Sequence, residues 1–122
     1  GGHRPWDDIQ VRLKLGELAI EAEVGRLVAY RTVWLQSKGE VPNHEASIGK
    51  VWMAYLGIKV ANIGVNLMSN YGQLTPGSKW AQLAGRVEES YLLSLSGPIA
   101  GGTGEIQRTV IATRGLGLPR GE

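Results

Sequence analysis

The sequence predicts an all-α protein, an antiparallel bundle of three long helices and one short C-terminal helix. Three observations point there. Chain breakers are confined to Pro5, the turn Lys38-Gly39-Glu40-Val41-Pro42-Asn43, the stretch from Tyr71 to Ser78, and the Gly97-Pro98 and Gly101–Gly104 region. Between them, apolar residues recur at three-to-four spacing, as one face of a helix requires. No alternating run is long enough for a strand. With 122 residues, 43% of them apolar, the chain has material for one domain around one core.

The first helix is expected from about Asp7 to Ser37, with Asp7 or Asp8 as N-cap. It carries two adjacent apolar stripes. One holds Leu13, Ile20, Val24, Leu27 and Trp34, and the other Val11, Leu15, Leu18, Ala22, Gly25 and Ala29. Lys14, Glu17 and Glu21 form its polar face. Two stripes call for more than one packing neighbour.

The second helix is expected from Asn43, as N-cap, to about Ser69. Between Ala46 and Asn70 only Lys50 and Lys59 are charged. A membrane span would fit the length, but Lys59, Asn62 and Asn66 interrupt the apolar run. A helix buried on nearly all sides, partly by another chain or domain, fits better. Gly57, Ala61 and Gly64 would let neighbours approach closely. The third helix is expected from Ser78, its N-cap, to Leu95, on the spacing of Trp80, Leu83, Val87 and Tyr91. The fourth runs from Thr103 to Arg114, with Ile106, Val110 and Ile111 as its apolar face. Gly115 is expected at C′, with Pro119 preventing resumption.

Thirteen basic and eleven acidic residues give a net charge of +2. The signs are interspersed, so the basic footprint of a nucleic-acid binder is missing. There is no cysteine, which excludes disulfides and thiolate chemistry and fits a cytoplasmic protein. The opening GGHRPWDD lacks the apolar run of a signal peptide. His3 and His44 are far apart in sequence and support neither a metal site nor a Ser-His-Asp arrangement. Both are expected as solvated or capping residues. The four Trp are expected in core and interface packing.

The run Gly101-Gly102-Thr103-Gly104 admits two readings. Glycines allow positive φ or close approach of a ligand, and Thr103 stands where an N-cap belongs, ahead of N–H groups that can meet an anion. The plainer reading is a capped helix after a flexible turn.

The larger stretch, Ile99-Ala100-Gly101-Gly102-Thr103-Gly104-Glu105-Ile106-Gln107-Arg108 followed by Leu116-Gly117-Leu118-Pro119-Arg120, resembles the C-terminal signature of the acyl-CoA dehydrogenase family. Upstream, Leu15-Gly16-Glu17-Leu18 with Glu23 and Arg26, and Glu45-Ala46-Ser47-Ile48-Gly49-Lys50, resemble family segments in the same order. The Ile-Ala-Gly-Gly-Thr form is similar to actinobacterial members, some of which act on steroid side-chain thioesters. The resemblance implies the C-terminal four-helix-bundle domain of a larger three-domain enzyme that binds FAD and dehydrogenates an acyl-CoA at Cα and Cβ. Such enzymes usually form tetramers and pass electrons to an electron-transfer flavoprotein. Residues 1–122 would be one bundle domain of that protein, lacking the family bundle's first helix and its Arg-x-Phe-Gly motif.

Carried over by position, Gly102, Thr103 and Glu105 would contact FAD. Asn66 and Asn70 would lie in the stretch that reaches a neighbouring subunit's FAD, where the family often has Gln-x-x-Gly-Gly and this chain has Asn66-Leu67-Met68-Ser69-Asn70. Many members carry a glutamate base at the position of Gly101. Glycine accepts no proton, so no catalytic residue is expected here, and the chain alone is expected to be inactive. A base could come from the absent helix or from a partner subunit of a homo- or hetero-oligomer. Glu105 is a poor substitute because a helix start stabilises its charged form. Glu88 and Glu89 could offer a carboxylate near the loop at residues 97–104, but a helix-surface role is expected. Arg108, Arg114 and Arg120 could meet phosphate, a carboxylate or solvent. The alternative to an enzyme domain is a free-standing helical interaction module.

Overall fold

A computed structural model describes residues 4–120; His3 lies outside them. Among the described residues there are helices and turns and no strand. The main helices are α1 (Ile9–Ser37), α2 (His44–Met68), α3 (Arg86–Ser94) and α4 (Gly104–Val110), the last continued by a π-helical turn at Ile111–Gly115.

Helix α1 starts where Asp8 Oδ1 accepts from the Gln10 N–H at 2.8 Å. It stops at Gly39, whose φ of 77° lets the Gly39 and Glu40 N–H groups turn back onto Gln36 and Leu35 carbonyls. The short loop that follows forces α2 to run antiparallel. The contacts descend along α1 as they climb α2. Arg31 meets Glu45, Val28 meets Gly49, Gly25 meets Met53, and Glu21 meets Trp52 and Lys59. Gly25 is the point of closest approach, because a Cβ there would lie 2.7 Å from Met53 Sδ. Trp52 donates its indole N–H to the Glu21 carbonyl at 2.8 Å, and Lys59 pairs with the Glu21 carboxylate at 2.6 Å.

Helix α2 is the hub: α1, α3 and α4 all pack on it. By length and composition it is apolar enough to cross a membrane. Three neighbours draw on its faces, but among the described residues they bury only Glu45, Ser47 and Leu56, so the expected burial on nearly all sides is not met within this chain. Leu56 is buried, yet Met53 and Val60 stay exposed, so one chain covers α2 only in part. Of the expected close-approach positions, a Cβ at Gly64 would stand 3.6 Å from Val87 of α3, in ordinary contact, whereas a Cβ at Gly57 would meet nothing within 4 Å.

Three expectations are corrected. The third helix begins at Arg86 rather than Ser78. Leu83, Ala84 and Gly85 take φ of 51°, 56° and 79°, a left-handed turn that no right-handed helix can cross. Ser78 instead starts a turn, its hydroxyl 3.4 Å from the Trp80 N–H. The Asn43 side chain makes no cap bond to α2; its Oδ1 accepts from Arg114 at 2.8 Å, tying the C-terminal turn to the α1–α2 loop. At the C-terminus the positive φ falls at Gly117, with the Leu118 N–H closing onto Ala112 O, while Gly115 lies inside the π turn against His44.

The tryptophans divide. Trp52 packs between α1 and α2, but Trp6, Trp34 and Trp80 are exposed. Of the first α1 stripe, Leu13, Ile20, Leu27 and Trp34 face solvent, seven residues apart, while Val24 is half-buried.

Candidate functional site

The Gly97–Gly104 turn lies on the N-terminal half of α2. Lys50 donates from Nζ to Gly97 O at 3.0 Å, and Ala54 sits 3.8 Å from where a Gly97 Cβ would stand. At the other end Thr103 is extended (φ −63°, ψ 160°) and caps α4, its Oγ1 accepting from the Ile106 N–H at 3.4 Å.

The three glycines around Thr103 differ in what requires them. A Cβ at Gly104 would lie 2.9 Å from Tyr55 Oη and 3.1 Å from Arg108 Nη1. Arg108 itself stacks over the Tyr55 ring at 5.2 Å. A Cβ at Gly102, where φ is 98°, would lie 2.7 Å from Gln107 Nε2. Gly101 has a φ of 69° and nothing within 4 Å of its Cβ position. Packing therefore explains Gly102 and Gly104, while Gly101 faces open space.

Glu105 sits in the first turn of α4. Its own backbone N–H, then the Thr103 hydroxyl, and more weakly Arg108 hold its carboxyl below the ordinary glutamate range. It stays an anion and an acceptor, which makes it a weak base. Glu88 lines a cleft with Asn62, Val65, Gly72, Gln73 and Tyr91, toward the other end of α2 from Tyr55 and Gly104. Arg114, which sequence alone left between phosphate, carboxylate and solvent, bonds an amide oxygen. His44 is half-buried: Nδ1 is 3.4 Å from Glu45, and the ring is 3.0 Å from where a Gly115 Cβ would stand.

Gly102, Thr103 and Glu105 are thus brought together on one turn. Asn66 and Asn70 are not with them. Asn66 lies eleven residues beyond Tyr55, roughly 16 Å along the helix axis, where its amide bonds Asn62 O and Oδ1. The backbone there is strained. Ser69 takes φ 51°, ψ −132°, a conformation for glycine, at the first glycine position of the Gln-x-x-Gly-Gly pattern.

These features define a helical-bundle domain in which a central helix braces a glycine-rich, threonine-capped turn. Residues 1–116 match the family model of the acyl-CoA dehydrogenase C-terminal domain, and the chain belongs to the acyl-CoA dehydrogenase family. It is 33% identical to acyl-CoA dehydrogenase FadE26 of Mycobacterium tuberculosis (strain ATCC 25618 / H37Rv), over 98% of this chain and 31% of that protein. Its structure is similar to a chain of the ChsE4-ChsE5 complex from Mycobacterium tuberculosis (TM-score 0.88, 34% identity, 99% of this chain and 31% of that one). It is also similar to the Tcur3481-Tcur3483 steroid ACAD (TM-score 0.86, 26% identity, 93% of this chain and 30% of that one). The chain spans about a third of the length of these relatives.

Proposed function

We propose that these residues are the C-terminal domain of a flavin-dependent acyl-CoA dehydrogenase, and that Gly102, Thr103 and Glu105 help hold its FAD. The observation that carries the reading is the braced Gly-Gly-Thr turn within a chain that matches the family's C-terminal domain over residues 1–116. The turn fits such a cofactor. Gly101 leaves space beside the backbone. Thr103 supplies a hydroxyl, and Glu105, held as an anion, is an acceptor suited to the flavin's ribityl hydroxyls rather than to its phosphates.

When bound, FAD supplies the hydride acceptor for the β-carbon. The domain's own residues bind and orient, and Gly101 removes no proton. The α-proton base lies on a segment upstream of these residues or in a partner subunit. The substrate is an acyl-CoA thioester, with a steroid side chain favoured over a plain fatty acid by the relative that is named a steroid ACAD. The assembly is a homo- or hetero-oligomer, tetrameric for the full protein; relatives named as two-component assemblies support the hetero-oligomer. Asn66 and Asn70 reach the neighbouring subunit's flavin. The electron acceptor is an electron-transfer flavoprotein, and the location is cytoplasmic.

The second reading, a free-standing interaction module, is favoured by the exposed apolar stripe on α1. One experiment separates them: purify the native polypeptide, measure its mass and flavin content, and assay acyl-CoA oxidation. The enzyme reading expects a mass roughly three times that of these 122 residues, bound FAD, and no turnover by the 122-residue chain alone. A native mass equal to this chain, with no flavin, selects the module.

A further inference from the structure

We propose that Gln107 is the positioning residue of the flavin-facing turn. Its side-chain amide fixes the Gly101–Gly102 peptide, and so sets the direction in which Gly102 presents its N–H. The inference rests on the FAD reading and adds to it the residue that holds the contact in place.

Gln107 Nε2 donates to Gly101 O at 3.1 Å, from one turn into α4. The Gln107 backbone N–H also bonds Thr103 O, at 3.0 Å, so this residue grips the turn twice. Gly102 belongs to the same device. A Cβ at Gly102 would stand 2.7 Å from Nε2, so a side chain there would push the amide off the carbonyl it serves. A glycine and a glutamine five positions apart thereby form one unit, and the Gly-Gly-Thr-x-Glu-Ile-Gln spacing gains a physical reason independent of any ligand.

The turn needs such a lock. Gly101 and Gly102 are consecutive glycines with φ of 69° and 98°, the residue type that loses most freedom on ordering. Packing does not hold Gly101, whose Cβ position meets nothing within 4 Å. The neighbouring braces act elsewhere: Lys50 at Gly97, Tyr55 and Arg108 at Gly104. Gln107 acts in the middle. The peptide it holds is trans and planar, so the Gly102 N–H points opposite to the Gly101 carbonyl. Pinning the oxygen toward α4 aims the N–H away from α4, as a donor for a ligand on the open side.

The bond is solvent-exposed and spans six residues, so it contributes little to the stability of the bundle. Its loss is felt locally. That separates positioning from structure in the test. Two variants of the full-length polypeptide are compared with the parent: Gln107→Met removes the donor, and Gln107→Glu keeps the shape but carries no donor at neutral pH. The first readout is amide hydrogen exchange in the flavin-free protein. Both variants are expected to speed exchange at residues 101–104 by roughly 2- to 10-fold, with the rest of the bundle and the melting midpoint unchanged. The second readout is the Kd for FAD with the bound flavin's visible spectrum. A rise in Kd of roughly 2- to 10-fold and an altered spectrum are expected.

Unchanged exchange at residues 101–104 in both variants overturns the lock. Faster exchange with an unchanged Kd and spectrum overturns its role in positioning for flavin. A midpoint lowered in step with the Kd assigns Gln107 to structure and likewise overturns the proposal. A parent that binds no FAD sinks the cofactor reading, while the exchange result still decides whether Gln107 orders the turn.

Discussion

Two connectors flank α3, and both need backbone with positive φ. The one after it, from Gly97 to Thr103, places glycine at each such position, Gly101 and Gly102. The one before it, between α2 and α3, uses Ser69, Leu83 and Ala84 as well as Gly77 and Gly85. An L residue in the left-handed region costs on the order of 1 kcal/mol. The strain of this domain is therefore stored in the connector on the C-terminal side of α2. The turn proposed to face the cofactor is relaxed and is held by hydrogen bonds. In this fold, the segment expected to present chemistry is ordered by partners rather than by tension.

Substitutions can break or sharpen that contrast. The largest expected effect is at Gly85, where a Cβ would overlap the Pro76 backbone N and φ is 79°. Gly85→Ala is expected to cost about 3 kcal/mol in denaturant unfolding. A cost near zero would mean that the left-handed turn is not rigid. Next comes Gly102→Ala, at about 2 kcal/mol, because Gln107 Nε2 is the flexible end of a side chain and can give way. Gly101→Ala should cost only about 1 kcal/mol, from its φ alone, since its side is open. If Gly101→Ala proves as costly as Gly85→Ala, the open space beside Gly101 is wrong.

Ser69→Gly works in the opposite direction. It relieves φ 51°, ψ −132° and is expected to raise stability by about 1 kcal/mol. The smallest effect is at Glu105. Its carboxyl is held low in the fold, so the stabilisation is present at neutral pH and fades as pH falls below the ordinary glutamate range. Glu105→Gln should lower stability slightly at neutral pH and remove that part of the acid dependence, so that the variant and the parent converge as pH falls.

Much of this was legible in the residues. The two long helices announce themselves by period, and Asp8 and Thr103 cap where their residue types suggest. The N-terminal part of the third helix misled because Trp80, Leu83, Val87 and Tyr91 keep helical spacing, while the stop comes from Pro76 packing on Gly85, a contact across nine residues. Asn43 has the composition of a cap, but Arg114, seventy-one residues away, claims its side chain. At the site, the glycines were visible and their reasons were not. Gly104 is explained by Tyr55 and Arg108, and Gly102 by Gln107. Only the folded chain brings Tyr55 to Gly104.

The distribution of the indole rings turns them into an optical probe with an unusual reading. Trp6, Trp34 and Trp80 are 64%, 54% and 63% exposed, while Trp52 is half-buried with its N–H on Glu21 O. Emission from the isolated domain is dominated by water-facing indoles, so it already resembles that of an unfolded chain and shifts little on denaturation. A shift to shorter wavelength would instead mark the moment at which Trp34 and the rest of its stripe, Leu13, Ile20 and Leu27, are covered. For this domain, intrinsic fluorescence reports assembly more directly than folding.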